Sequence, residues 1–401
     1  MELGLLRQPR VMRPFFVSYR RDPWLEEVTD LAHACHQRGV QTILDVSDPG
    51  ALAGSAQLDA IRTQIRDGSS GLILYFSRNV SDSAVVWKVE VPAALDAVDR
   101  GEYVLMPVFR DLRPSDALTL LPHGPRLAAM AGVVVQAEIG AAHAEVGRQA
   151  LAAVLRLHNA EQSGEPLRVA LRTRDTGVAV EADLYIDWTK DFDLLLRGDA
   201  SPAPAVIEAL QDVCRGLKKT GVRDVHLIGG AHLSAAIAFG YVCNRAAGYR
   251  LRVAQRDAIW AADGPVGDAS IRVSAQQLSA SGSDVALVLA ISRPEAVADA
   301  DAATANLGLP LSGRIVVQPV NGPGRWSVAD EAQARGIVNA IVTALMSKRA
   351  EWRAKGVVHV FIAGPFALAA LLGHSLNSFG PLQLYEKRPS GDGYVPTLTL
   401  A

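Results

Sequence analysis

Short apolar runs alternate with amphipathic segments over residues 13–158. The runs that read as strands lie at 15–19, 40–46, 71–76, 103–109 and 133–136. Runs without period-two alternation are typical of strands covered by helices on both faces, so the pattern predicts a parallel sheet with crossover helices. Ligands of such sheets bind at the carboxyl ends of the strands. Polar residues follow three of these strands, at 18–22, 45–54 and 77–83.

Two stretches in the second half of the chain share one pattern. The first runs from Val225 to Gly240 and reads VHLIGGAHLSAAIAFG, and the second runs from Val358 to Gly373 and reads VHVFIAGPFALAALLG. Each combines a buried strand, a glycine turn and a helix of small residues. A long helix is expected before each stretch and a strand after it. The repetition predicts two tandem Rossmann-like α/β units.

The two glycine turns stand where strands lead into helices. Free backbone N–H groups and the helix dipole make such a position suitable for an anion. For either turn alone, close packing of the strand against the helix explains the glycine equally well. The dinucleotide fingerprint and the phosphate-loop lysine are both absent from the sequence. The duplication therefore favours a pocket shared by two pseudo-symmetric units.

Length and composition predict several domains without a membrane span. A chain of 401 residues exceeds the size of a single core, and its formal net charge of −2 disfavours binding to duplex nucleic acid. No apolar run approaches eighteen residues. Three widely separated cysteines indicate a reducing, cytoplasmic environment. We expect an N-terminal extension, an α/β domain, a linker and a paired α/β domain at 1–12, 13–160, 161–166 and 167–401, with the paired units at about 167–310 and 311–401.

No metal site is expected from the sequence. His226 and His359 lie within apolar strands and have no carboxylate nearby at the spacing of metal ligands. We interpret both as histidines of the core.

Glu90 is the candidate catalytic group of the first domain. It follows Ser81, Ser83 and Trp87 at the spacing Ser-x-Ser-x-x-x-Trp-x-x-Glu. Glycoside hydrolysis usually takes two carboxylates, but a leaving group that is already cationic departs as a neutral base and needs no proton. One carboxylate that stabilises an oxocarbenium-like sugar is then enough. Alternatively, Trp87 belongs to the core and Glu90 to a solvated helix face.

The strand end Phe15-Phe-Val-Ser-Tyr-Arg-Arg-Asp22, together with the Trp-x-x-Glu helix, resembles the TIR domain family over residues 15–109. The resemblance implies a flavodoxin-like sheet and hydrolysis of NAD+ to nicotinamide and ADP-ribose or a cyclised form, with no cofactor. It implies that the loop at 45–54 takes part in subunit contacts. The substrate-binding residues that it implies are Ser18, Tyr19, Arg20, Arg21, Asp45, Ser77 and Trp87.

The second half resembles the SAVED domain, a fused pair of CARF-like units that senses cyclic oligonucleotides. The turns at 229–234 and 364–366 carry the resemblance, together with Tyr185-Ile-Asp-Trp-Thr189 and Leu384-Tyr-Glu-Lys387. Phe366 is a candidate for stacking an adenine, or else a core residue. The candidate ligand contacts are Gly229, Gly230, His232, Ser234, Gly364, Pro365, Phe366, Asp187, Trp188, Ser292, Arg293 and Lys387.

A TIR domain followed by SAVED resembles an effector of the cyclic-oligonucleotide anti-phage systems of bacteria (CBASS). The resemblance implies an NAD+ hydrolase that is activated by a cyclic oligoadenylate, the trinucleotide above all, and that self-associates head to tail into oligomers or filaments. One alternative is a non-enzymatic TIR scaffold assembled by a nucleotide. Another is a C-terminal half that binds an ordinary nucleotide or metabolite.

Overall fold

The computed structural model describes residues 13–19, 21–44, 55–77, 80, 83–101, 103–111, 113–116, 122–130, 132–135, 138–162, 164–175, 180–391 and 393–401. The chain forms two compact units. The first comprises the described residues up to Glu165, with the segments Glu181–Ile186 and Arg215–Gly221, and the second comprises the remainder. The boundary between Glu165 and Pro166 falls within the expected linker at 161–166.

A five-stranded parallel sheet forms the centre of the first unit, as the apolar runs predict. Its strand order is β2-β1-β3-β4-β5, which is the flavodoxin-like order. The strands are β1 Phe15–Ser18, β2 Thr42–Leu44, β3 Gly71–Phe76, β4 Val104–Phe109 and β5 Val133–Val134. The described helices are α1 Arg21–Gln37, α2 Ser55–Thr63, α3 Val91–Asp99, α4 Gly124–Ala128 and α5 Ile139–Glu161.

Two π-helical turns extend the helices of this unit. One, Gln64–Gly68, continues α2, and the other, Val86–Glu90, leads into α3. All six residues of β3 are buried, which explains why its sequence shows no period-two alternation.

The second half of the chain contains two sheets. The first has the strand order β10-β9-β8-β6-β7, with β6, β8 and β9 parallel. Its strands are β6 Leu167–Arg172, β7 Leu184–Asp187, β8 Asp224–Gly229, β9 Arg250–Gln255 and β10 Ala258–Ala261. The helices that alternate with them are α6 Thr189–Leu196, α7 Ala203–Thr220 and α8 Leu233–Val242.

The other sheet has six strands in the order β11-β13-β12-β14-β15-β16, with a parallel centre and antiparallel strands at both edges. The strands are β11 Ile271–Gln277, β12 Asp284–Ala290, β13 Leu311–Pro319, β14 Val358–Ala363, β15 Leu382–Lys387 and β16 Tyr394–Leu400. The helices are α9 Ala296–Asn306, α10 Glu331–Glu351 and α11 Phe366–Ser375. The boundary expected at residue 310 therefore falls between strands of one sheet.

The helices α8 and α11 pack closely against each other. A Cβ added at Gly240 would lie 2.0 Å from the carbonyl oxygen of Ala370, and one at Gly373 would lie 2.1 Å from that of Ile237. The contact is reciprocal, because Gly373 and Ala370 occupy the positions of the second repeat that Gly240 and Ile237 occupy in the first. The two sequence repeats therefore form a pseudo-two-fold pair.

Within the ranges described above, no helix is both long enough and apolar enough to cross a membrane.

Candidate functional site

A pocket of about 700 Å³ lies within the second unit, at the carboxyl ends of parallel strands from both of its sheets. This volume is ordinary for a small-ligand site, for which roughly 300–1,000 Å³ is typical. Strand ends are the expected place for ligands in such sheets. The lining residues are Arg174, Asp193, Leu196, Ala231, His232, Leu233, Ser292, Arg293, Ala363, Gly364, Glu386, Lys387, Arg388, Pro389 and Gly391.

Arg174 and Arg293 follow corresponding strands in the two halves of the pocket. In the first sheet Leu171 pairs with Gly229, and in the second Leu289 pairs with Ile362, the residue that matches Gly229 in the repeat. Arg174 stands three residues beyond Leu171, and Arg293 stands four residues beyond Leu289. Both arginine side chains line the pocket. Each half of the pocket therefore contributes one arginine from the segment that follows its β6 or β12 strand.

Cationic side chains outnumber acidic ones in the lining. Arg174, Arg293, Lys387 and Arg388 contribute positive charge, against Asp193 and Glu386. The Nε of Arg174 donates a hydrogen bond to the carbonyl oxygen of Gly230 at 2.9 Å, which holds its side chain at the turn after β8.

Lys387 forms an ion pair in which its Nζ lies 2.5 Å from Oδ2 of Asp299. The four cationic side chains of the lining, against two acidic ones, make the pocket suitable for an anionic ligand.

His232 enters the pocket as a neutral imidazole. Burial and the positive charge of Arg174 lower the pKa of His232 to about 4. Its Nδ1 lies 2.8 Å from the hydroxyl of Thr173, and its ring stacks on Phe192 with the centroids 5.3 Å apart. Phe192 in turn stacks on the fully buried Trp188. Trp188 therefore supports the position of His232 from the core and does not line the pocket.

The first turns of α8 and α11 are capped by side chains from the opposite halves. The backbone N–H of Ser234 donates to Oε2 of Glu386 at 3.0 Å, and that of Ala367 donates to Oε1 of Gln255 at 3.0 Å. Free N–H groups at a helix start require such acceptors. These two hydrogen bonds are called the crossed caps below.

Glu386 is a buried acid in the lining, with 8% of the residue exposed. Burial raises its pKa to about 7, although the hydrogen bonds from Ser234 and the positive charges of Arg174 and Arg293 act in the opposite direction. The sequence reasoning selected its neighbour Lys387 and missed Glu386. A carboxyl at the end of the apolar run LQLYEK was the available signal.

Five of the predicted ligand contacts line this pocket, namely His232, Gly364, Ser292, Arg293 and Lys387. The others have positions outside the lining. Gly229 has a φ of +151°, and a Cβ there would lie 2.3 Å from the carbonyl oxygen of Leu171, so this glycine permits close packing of β8 against β6. Ser234 is fully buried behind Glu386.

The remaining candidates have contacts that explain them without a ligand. Asp187 accepts a hydrogen bond from the backbone N–H of Thr189 at the start of α6, at 2.9 Å. Gly230 accepts from Arg174, as described above. Pro365 precedes α11 and Phe366 begins it, both partly buried.

Local sequence patterns missed Arg174, Asp193 and Arg388. These residues lie just beyond a strand or within a short helix, and no sequence motif connects them with the glycine turns.

His359 is a satisfied core histidine, as expected, and its carboxylate partner is distant in the sequence. Its Nε2 lies 3.0 Å from Oδ2 of Asp284, and its Nδ1 lies 3.0 Å from the hydroxyl of Tyr385. Asp284 comes from β12, far away in the sequence. Over the residues described, no group of three or more His, Cys, Asp or Glu side chains is arranged to hold a metal ion.

The first unit has its topological switch point between β1 and β3. These strands are parallel neighbours, with Ser18 opposite Leu74. Ser18 ends β1, and Ser77 directly follows β3. Both serines are buried, and neither hydroxyl has a hydrogen-bond partner within the described part of the chain. The switch point of a flavodoxin-like sheet is where ligands of this fold class bind.

Trp87 is a core residue of the first unit, with 7% of it exposed. Its ring stacks on Phe76 with the centroids 5.8 Å apart, and its indole N–H donates to the carbonyl oxygen of Val80 at 2.8 Å. Ser83 accepts a hydrogen bond from the backbone N–H of Val86, at 3.4 Å, through its hydroxyl. The tryptophan and serine of the motif thus fix the helix start beside the end of β3.

Glu90 is also buried, with 5% of the residue exposed, at the end of the π-helical turn. Burial raises the pKa of Tyr103, and the negative charge of Glu90 raises it further. The Tyr103 hydroxyl lies 2.8 Å from that of Ser69, and these residues precede β4 and β3 at the amino edge of the sheet. Glu90 is therefore a buried carboxyl, and the expectation of a solvated helix face for it is wrong.

The remaining candidates of the first unit are only partly described. Tyr19 follows β1 and is partly buried. Arg21 begins α1, and its side chain lies outside the described part. Arg20, Asp45 and the loop at 45–54 lie outside the described residues altogether.

Residues 206–400 match the family model of SAVED, the "SMODS-associated and fused to various effectors sensor domain". The segment is therefore similar to this sensor-domain family. It includes most of the pocket lining, while Arg174, Asp193 and Leu196 lie before it.

Three solved structures resemble the chain in fold. A Cap4 SAVED/CARF-domain containing receptor of Acinetobacter baumannii with 3′3′3′-cAAA is 14% identical, with 87% of this chain and 86% of that chain covered and a TM-score of 0.47. The same receptor with 2′3′3′-cAAA is 14% identical over 86% and 85%, with a TM-score of 0.48. The Cap4 receptor of Moraxella osloensis is 13% identical over 97% and 87%, with a TM-score of 0.43. A search of curated proteins finds no match.

Proposed function

We propose that this chain is an NAD+ hydrolase controlled by a cyclic oligonucleotide. The pocket of the second unit binds a cyclic oligoadenylate, and the first unit then releases nicotinamide from NAD+ in anti-phage defence of the CBASS type. The observation that carries the proposal is the pair of arginines, one from each half of a cationic pocket, most of whose lining lies in a segment that matches a sensor-domain family.

The pocket suits a ligand that repeats its phosphates around a ring. Guanidinium groups bind phosphate oxygens in bidentate fashion, and Arg174 and Arg293 present two such groups, one from each half of the pocket. A mononucleotide has one phosphate cluster and engages one of the two positions. The pair therefore favours a cyclic oligonucleotide over an ordinary nucleotide or metabolite.

Binding tests this half of the proposal directly. We expect calorimetry to detect binding of a cyclic triadenylate in a panel of cyclic di-, tri- and tetra-adenylates and AMP. Arg174→Ala and Arg293→Ala should each weaken it by about tenfold to a hundredfold, the usual effect of losing a hydrogen bond to a charged group. Arg156→Ala, at an exposed position on α5, is the matched control. Binding of AMP alone would favour the metabolite alternative.

Glu90 would perform the chemistry of the first unit. The nicotinamide leaves as a neutral base, so the carboxylate stabilises the positive charge that develops on the ribose, with no proton donated to the leaving group. A site of low solvent exposure strengthens this electrostatic effect. The unpartnered hydroxyls of Ser18 and Ser77 at the switch point are available to hold substrate hydroxyls. NAD+ is the substrate, and no cofactor is needed.

Control requires that the ligand alters the assembly of the protein. We propose that ligand binding promotes head-to-tail self-association of chains, and that the loop at 45–54 completes the NAD+ site of a neighbouring copy. A head-to-tail contact that does not close on itself produces a filament.

A non-enzymatic scaffold is the second candidate, and two observations favour it. Trp87 is enclosed in the core, and the charge of Glu90 acts on Tyr103 at the amino edge of the sheet, opposite the edge that holds Ser18 and Ser77. Nicotinamide release separates the hydrolase from the scaffold. It is measured for the wild type and for Glu90→Gln, both saturated with ligand. Release by both proteins, or by neither, would remove Glu90 as the catalytic carboxylate.

A further inference from the structure

The crossed caps are equivalent in position but differ in chemistry. Ser234 is the second residue of α8 and Ala367 is the second residue of α11. The acceptor for Ser234 comes from the end of β15, and the acceptor for Ala367 comes from the end of β9. One acceptor is the carboxyl of Glu386, and the other is the neutral amide of Gln255. A neutral group is thus sufficient for the cap, and the acid at 386 requires another explanation.

Glu386 differs from Gln255 in lining the pocket. The positive charges of Arg174 and Arg293, which come from the two halves of the pocket, both act on its carboxyl. An ionised Glu386 therefore places a negative charge next to the groups that would hold the ligand's phosphates, and a protonated Glu386 does not.

We propose that Glu386 links ligand binding to proton uptake, so that the pocket binds its anionic ligand most tightly when this carboxyl is protonated. The inference rests on the proposed binding of a cyclic oligoadenylate. It adds a regulatory role for a residue that is not itself a phosphate contact.

The direction of the effect follows from the charges. In the free pocket the two arginines favour the ionised carboxyl, and burial still holds its pKa at about 7. Ligand phosphates neutralise the arginines and add negative charge, so they raise the pKa further. Affinity is then constant below about pH 7 and falls as the pH rises between the pKa of the free pocket and that of the complex. The fall is at most about tenfold per pH unit for one proton.

The other charged groups around Glu386 do not reproduce this behaviour. Arginine side chains stay protonated throughout the range. The pKa of His232 is about 4, below the window. Burial raises the pKa of Tyr394, on β16, above the window. The remaining neighbours are Asp193 on α6, Lys387 with its partner Asp299 on α9, and Arg388 after β15.

The full chain, titrated with the cyclic adenylate that binds in the panel described above, tests the inference. Calorimetry at about pH 8 in two buffers of different ionisation enthalpy measures the protons taken up per ligand, and affinities at about pH 6 and about pH 8 give the pH dependence. We expect uptake of up to about one proton and weaker binding at the higher pH. In Glu386→Gln, whose amide reproduces the neutral cap found at Gln255, uptake should disappear and affinity should become independent of pH.

Different failures of this experiment have different meanings. Binding without proton uptake in the wild type, or uptake that persists in Glu386→Gln, overturns the role of Glu386 and leaves the proposed ligand intact. The absence of binding by every cyclic adenylate at both pH values removes the ligand and the proton linkage together. Should Glu386→Gln fail to fold, the wild type decides alone, since an affinity that does not change between the two pH values contradicts the inference.

Discussion

At the scale of single residues, Glu386 illustrates how burial sets a charge state. The folded chain raises the pKa of this carboxyl from 4.5 to about 7. A carboxyl with a raised folded-state pKa contributes most stability when it is protonated in both states. That contribution is lost as the pH rises from the unfolded to the folded pKa, between 4.5 and about 7.

Glu386→Gln should therefore stabilise the protein at neutral and alkaline pH. Above about pH 7 the free energy of unfolding of the variant should exceed that of the wild type by roughly 3 kcal/mol, and the difference should shrink towards pH 5. Denaturant unfolding above pH 7 and at pH 5 measures this difference in unfolding free energy. An equal difference at the two pH values would show that Glu386 does not titrate in this range.

Glu90 is the other residue with a defined chemical prediction. Glu90→Gln should abolish nicotinamide release and leave the affinity for the cyclic adenylate unchanged, because the carboxyl and the pocket lie in different units. Thermal unfolding is the control, because a buried carboxyl with structural partners also affects stability. Loss of release accompanied by unfolding at assay temperature would leave Glu90 with a structural role only.

At the scale of elements, the two repeated helices are the feature that joins the two halves of the second unit. The glycines Gly240 and Gly373 allow α8 and α11 to approach closely enough for the crossed caps to form. Gly240→Ala and Gly373→Ala should each destabilise the chain by about 1–3 kcal/mol, as overpacking in a well-packed core does. Both should weaken ligand binding.

Gly364→Ala is the matched control for the predicted loss of stability. A Cβ there would meet its nearest neighbour, Ile291, at 3.5 Å, which is ordinary van der Waals contact. Equal losses of unfolding free energy at all three glycines would contradict the account of the helix contact.

Sequence patterns predicted the buried elements well and the edge elements poorly. β3 and β14 are covered on both faces, so their continuous apolar runs were clear. The edge strand β11 was not predicted, because six of its seven residues are exposed and its sequence, IRVSAQQ, lacks an apolar run. Helix α10, the long helix expected before the second repeated stretch, begins at Glu331 after its cap Asp330 and ends two residues before Arg353, whose φ of +54° is incompatible with a continued helix.

At the scale of the whole molecule, the candidate site was predictable only where one motif contained it. His232 and Gly364 belong to the repeated turns, so the sequence located them. Arg174, Asp193 and Glu386 come from other strands and helices that only the fold brings together, and Glu386 has significance only through its burial.

One measurement tests the central claim most directly. Nicotinamide release from NAD+ is measured for the purified full chain at increasing concentrations of cyclic triadenylate. The same measurement is made for the double variant Arg174→Ala, Arg293→Ala and for Glu90→Gln. The account predicts that the wild type releases nicotinamide only when the ligand is present. The arginine variant should need at least about tenfold more ligand for the same release. Glu90→Gln should release no nicotinamide at any ligand concentration. Release without ligand, or no release by wild type that demonstrably binds the ligand, would contradict it.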